Sequence, residues 1–157
     1  MIGSPGVIRQ SAAGDYQPDA VFDLFPQITG RHAPEIVGAL YQPEVFWDGR
    51  AADRFVDPQT GAISIATGGA LESQVVGPPV SDVEMAHEAR DWNQIKVKIA
   101  SARPWALATN LPPDAAAAIA ANPTYPALFD RAFGDPAVTA ERIAWSSAAP
   151  SSRASSA

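Results

Sequence analysis

The chain has 157 residues, 46% of them hydrophobic and 18% charged, enough length and apolar material for one domain with a real core. Its formal net charge of −6 argues against nucleic acid and against an anionic membrane surface, both of which need a basic footprint. No apolar run is long enough to span a bilayer, and there are no cysteines, which removes disulfides, thiolate metal sites and Cys nucleophiles from these residues.

The first ten residues carry no cationic region followed by an apolar stretch, so no signal peptide is expected. Residues 1–30 are mixed polar and small, without periodicity, and are expected to be irregular or disordered. Residues 32–41 (HAPEIVGALY) could hold one short helix, with Pro34 near its start. In residues 57–69 (DPQTGAISIATGG), Asp-Pro and Gly punctuation brackets Ile63-Ser64-Ile65, which fits a small β-hairpin or an extended loop.

The strongest helical pattern begins at Ser81. Ser81 and Glu84 have the spacing of a capping box, and Met85, Ala89, Trp92, Ile95 and Ile99 follow as one apolar stripe that Pro104 ends. Further helices are predicted over 113–121, over 125–133 with Gly134 as its C-cap, and from Thr139 through Ile143, Ala144 and Trp145. Residues 146–157 (SSAAPSSRASSA) can bury little against their ordering entropy, and a disordered tail is expected. The fold class is therefore mostly α, with short helices, long irregular loops and one small hairpin.

Several ordered motifs go beyond secondary structure. Phe46 to Ala51 read FWDGRA; Leu71-Glu72-Ser73-Gln74, Gly77-Pro78 and Glu84-Met85 follow in order. Pro123, Tyr125, Leu128, Phe129, Ala132, Phe133 and Gly134 then form one set, and Thr139, Arg142, Ile143 and Ala144 another. In this order and spacing the chain resembles the di-haem cytochrome c peroxidase and MauG-like family over residues 31–144, in the region between that family's two haem-attachment motifs.

The resemblance implies a cytochrome c-like helical domain fragment from a periplasmic protein with two covalent haems c. It implies electron transfer from a small donor cytochrome or cupredoxin, and reduction of hydrogen peroxide. Trp47 matches the tryptophan between the haems, an electron conduit. Gln74 and Glu84 match polar residues of the distal pocket. Glu84 would move a proton between the peroxide oxygens, which needs a carboxyl held against a low-dielectric face. Gln74 would orient peroxide or water, Pro78 would shape the pocket wall, and Arg50 could face a haem propionate.

The chain also departs from the family. It has no C-x-x-C-H, so neither thioether attachment nor the proximal histidine that accompanies it is available here. Residues 57–69 sit in an insertion between the DGR and L-E-x-Q motifs. His32 stands where many members have an asparagine associated with an inter-domain calcium, which counts against calcium. The helix from Thr139 gives way to Ser and Ala where the family continues, as it would if the reading frame were lost in a truncated gene product. Trp47, Gln74 and Glu84 each have a plainer reading, as core aromatic, solvated polar residue and capping glutamate. Asp48 and Arg50 could simply fix a turn around Gly49. His32 and His87 read as a loop residue and an exposed helix residue, and no metal site is expected.

Three whole-chain readings follow. The first is a peroxidase fragment, inactive alone because it lacks the attachment motif. The alternative is a haem-free helical binding domain that reuses the scaffold. The third is a carboxylate hydrolase built on Glu72, Asp82 and Glu84, whose required acid–acid separation nothing in the sequence fixes.

Overall fold

A computed structural model describes residues 3–30, 32–33 and 38–148, with Leu40 placed by its backbone only. Among the described residues it contains five α-helices and one two-stranded antiparallel sheet, and so has the mostly helical architecture, with a small hairpin, that the sequence predicts. The chain divides into two compact units, Met1–Trp92 and Asn93–Ala157.

The first unit starts with a ribbon rather than a helix. The Gly6 amide donates to Gln27 O at 2.7 Å, and the Gln27 amide donates to Val7 O at 3.0 Å. The ribbon also pairs with a distant loop: Val7 N donates to Val83 O at 3.1 Å and Glu88 N to Gln10 O at 2.9 Å. Gly6 allows this approach, because a Cβ there would overlap the Val83 carbonyl oxygen. The helix expected over 32–41 lies partly outside the described residues; its described end is a 3-10 turn, Ala39–Tyr41.

Strands β1 (Phe55–Val56) and β2 (Ile63–Ile65) form the hairpin, with a register irregularity between Phe55 and Val56. Asp57 organises its tip. Its carboxylate accepts from Gln59 N at 3.0 Å and from the Thr60 hydroxyl at 2.7 Å, while its own amide donates to Ala62 O. This is the local chemistry by which Asp turns a chain. Phe55 is fully buried, and Gly69 lies against it: a Cβ on Gly69 would be 2.8 Å from the Phe55 Cβ and 3.1 Å from the Ile65 Cβ. Helix α1 (Ala70–Val75) starts directly after Gly69, and its Ala70 joins Val45 and Ala51 in a small buried cluster.

The stretch from Ser81 corrects the sequence expectation. Ser81 O accepts from the amides of Glu84, Met85 and Ala86, which closes a turn, and helix α2 begins only at Trp92 (Trp92–Ser101). Ala89 sits at φ 58, outside the right-handed helical region. The cause is the ribbon. A helix here would direct Val83 O and Glu88 N to their own neighbours four residues away, whereas both are committed to Val7 and Gln10. The apolar stripe survives only from Trp92 onward: Trp92 and Ile95 are buried, Met85 and Ala89 exposed.

The second unit holds α3 (Pro113–Ala121), α4 (Tyr125–Phe133) and α5 (Ala140–Ala148), where the sequence places them. Thr124 caps α4, its hydroxyl accepting from Ala127 N at 3.3 Å, and Gly134 ends the helix at φ 72, where a residue without Cβ is unstrained. Ala140, Ala144 and Ala148 share the buried face of α5. Phe133 packs between Phe129 and Trp145, with centroids at 5.6 and 5.9 Å. Helix α5 runs past Trp145, the hydroxyls of Ser146 and Ser147 bonding back to Ile143 O at 2.9 Å. The rest of the expected tail, 149–157, lies outside the described residues.

Candidate functional site

The FWDGRA segment is a closed loop on a buried base. Val45 and Ala51 pair as an isolated antiparallel bridge, Val45 N donating to Ala51 O at 3.0 Å, and both side chains are buried. Between them Phe46 takes a left-handed conformation, φ 71, and its carbonyl accepts from Gly49 N at 3.1 Å. A non-glycine residue held there costs of the order of 1–3 kcal/mol, so the surrounding contacts must over-determine the turn. The Arg50 guanidinium lies 4.2 Å from the centre of the Phe46 ring, a cation–π contact. Trp47 is carried at the tip, 88% exposed.

Gln74, Pro78 and Glu84 belong to one continuous stretch. Gln74 is in the last turn of α1, its carbonyl accepting from Gly77 N at 3.3 Å. Pro78 opens the 3-10 turn Pro78–Val80, which packs against α1. Glu84 lies in the turn that Ser81 closes. All three side chains are half-buried. The Ser81–Glu84 capping box is not formed, since the helix it would cap starts later, and neither the Glu84 carboxylate nor the Gln74 amide bonds a described residue. This polar segment and the Trp47 loop are linked through the interior, since Ala51 at the base of the loop and Ala70 at the start of α1 share one buried cluster. The first offers a carboxylate and an amide for proton exchange and hydrogen bonding; the second presents an indole on a closed turn.

Two kinds of group escaped the sequence reading. Glu72, one residue into L-E-x-Q, is 1% exposed, so it belongs to the interior and not to a solvent-facing acid pair. No local pattern distinguishes it from an exposed helical glutamate. Arg90 Nε and Trp92 Nε1 are buried donors without an acceptor among the described residues. Such groups are costly unless something satisfies them. Trp92 reads in sequence only as part of an apolar stripe.

A thioether-bound haem does not fit these residues. The chain has no cysteine, and no group of three or more His, Cys, Asp or Glu among the described residues could hold a metal ion. His87 lies in a loop, not on a helix, with Nδ1 2.8 Å from Glu88 O. His32 is an exposed loop residue. No helix is long and apolar enough to cross a membrane among the described residues.

Comparison with curated proteins and with solved structures gives no match. Comparison with protein families does: residues 9–151 match the di-haem cytochrome c peroxidase family. That span holds both the FWDGRA loop and the polar stretch from Gln74 to Glu84, and it covers most of the chain; the chain belongs to the di-haem cytochrome c peroxidase family.

Proposed function

We propose that this chain is the region between the two haem-attachment motifs of a periplasmic di-haem peroxidase, and that by itself it does not turn over peroxide. The observation that carries the reading is the family match over residues 9–151 in a chain without cysteine. In the parent protein the haems supply redox chemistry, and a small cytochrome or cupredoxin supplies electrons. This chain's residues do the rest. In that parent Trp47 would serve as the conduit for electrons, Glu84 would hold and move a proton, Gln74 would orient peroxide or water, and Pro78 and Arg50 would shape the surroundings.

Three features support it. The Glu84 carboxylate and the Gln74 side-chain amide bond no described residue. Trp47 (88% exposed) and Met85 (61%) leave apolar surface open where a large planar partner would cover it. Arg90 and Trp92 hold buried donors of the kind that meet a carboxylate.

The test is the DNA flanking the gene, read in all frames of the coding strand. The expected result is C-x-x-C-H codons upstream of Met1 and downstream of Ala157. Their absence on both sides would withdraw the roles given to Trp47, Gln74 and Glu84. In the same reading, the purified chain mixed with hemin, a reduced donor cytochrome and peroxide shows no turnover above hemin alone.

A further inference from the structure

The segment between α2 and α3 forms an open hollow of about 640 Å³, walled by Arg103, Trp105, Leu107, Asn110, Leu111 and Pro112 with small residues between. The hollow is shallow, closer to an open surface than to an enclosed cavity, so a ligand in it keeps much of its own surface in water. The segment is a strained turn: Trp105 lies at φ 51, and its carbonyl accepts from Ala108 N at 2.9 Å. Strain of this kind in a non-glycine residue is found at ligand clamps more than at ordinary connections. It holds Trp105 52% exposed and Leu107 97% exposed, two large apolar surfaces facing water. Pro104 is buried and fixes the start of the turn.

The lining has one charged side chain. Arg103 is exposed and makes no ion pair or hydrogen bond with any described residue. No acid lines the hollow, and Asp114, two residues past Pro112, is outside it. A guanidinium binds a carboxylate through two parallel hydrogen bonds, and an indole face prefers a flat apolar body. We infer that the 103–112 loop is a binding site for a small planar apolar carboxylate, its charge on Arg103 and its ring system against Trp105 and Leu107. The Asn110 amide gives a second, neutral polar contact. This inference is independent of the haem-family reading.

The probe is 2-naphthoate, added to the full chain at constant ionic strength and followed by the ¹H–¹⁵N signals of its four tryptophan indoles. W105F assigns the Trp105 signal. The site is open, so saturation is expected on the order of 1 mM. R103Q should weaken naphthoate about tenfold and leave the neutral analogue 2-naphthalenemethanol unchanged. R131Q, which removes an equal charge away from the loop, on α4, should leave both unchanged. Arg103 is exposed, so R103Q keeps the fold, which undisplaced signals from the other three indoles would confirm. Naphthoate that fails to saturate the Trp105 signal would overturn the proposal. So would a neutral analogue that binds as well as the acid, or R103Q and R131Q with the same effect.

Discussion

Gly69→Ala tests the packing of the hairpin on α1. The new methyl carbon would lie 2.8 Å from the Phe55 Cβ, 3.0 Å from the Phe55 amide nitrogen and 3.1 Å from the Ile65 Cβ. None of these atoms is the free end of a flexible side chain, so relief requires moving β1 or β2 bodily. Overpacking of this kind costs about 1–3 kcal/mol, against which the reduced freedom of the unfolded chain returns less than about 1 kcal/mol. The expected net result is loss of stability. It is best read locally, by amide exchange at Asp57, whose N–H is bonded across the hairpin to Ala62 O at 2.9 Å. The rate should rise about tenfold, the factor that a central net cost of about 1.4 kcal/mol gives.

A second substitution sharpens this test. Phe55→Ala removes a fully buried ring, for about 3–5 kcal/mol, yet keeps the Cβ and the amide that the Gly69 methyl would strike. Positions 55 and 69 are in contact, so the two costs should couple by about 0.5–3 kcal/mol rather than add, the space left by the ring giving β1 room to shift. Unchanged exchange in Gly69→Ala, or two costs that simply add in the double variant, would refute the reasoning.

Three further outcomes are expected. In Gly6→Ala the added carbon overlaps the Val83 carbonyl oxygen, so the Val7 and Gln27 amides should lose exchange protection while Asp57 keeps its own; equal protection throughout would contradict the ribbon pairing. Thr124→Ala removes the acceptor of the Ala127 amide and should destabilise α4 by about 1 kcal/mol, seen as roughly fivefold faster exchange in its first turn. Asp135 is held below 3.8, the ordinary aspartate value, first by the Ala137 amide and then by the Arg142 guanidinium. A carboxyl lowered in the folded state contributes stability that is complete above its ordinary value and lost as pH falls through its folded value. Protection at the start of α5 should thus hold down to about pH 4 and decline below it, and Asp135→Asn should remove that decline. A carboxyl titration of Asp135 at or above 3.8 would contradict the assignment.

The second unit was legible in the sequence because its signals are local. Pro113, Thr124 and Gly134 act through the backbone of their own helix, and the boundaries of α3 and α4 fall where those residues put them. Ser81 and Glu84 give an equally local signal that does not prevail. The hydrogen bonds that cancel it come from Val7 and Gln10, which no window of neighbouring residues contains. The candidate site divides the same way. Motif order singles out Trp47, Gln74, Pro78 and Glu84 as candidates, and the family match spans all four. The full burial of Glu72 and the orphaned donors of Arg90 and Trp92 follow only from three-dimensional packing.

The pairing of the ribbon with residues 83–88 also has a consequence in time. During synthesis residues 3–30 leave the ribosome first, but their partners at Val83 and Glu88 emerge among the last residues of the first unit. Until then Val7 and Gln10 can close no bond to that loop, and the 81–88 stretch is free to sample the helix its own sequence favours. The pairing of the first unit therefore cannot be complete before residue 88 has been made. The second unit, built on near-neighbour contacts, can order its helices as each one emerges.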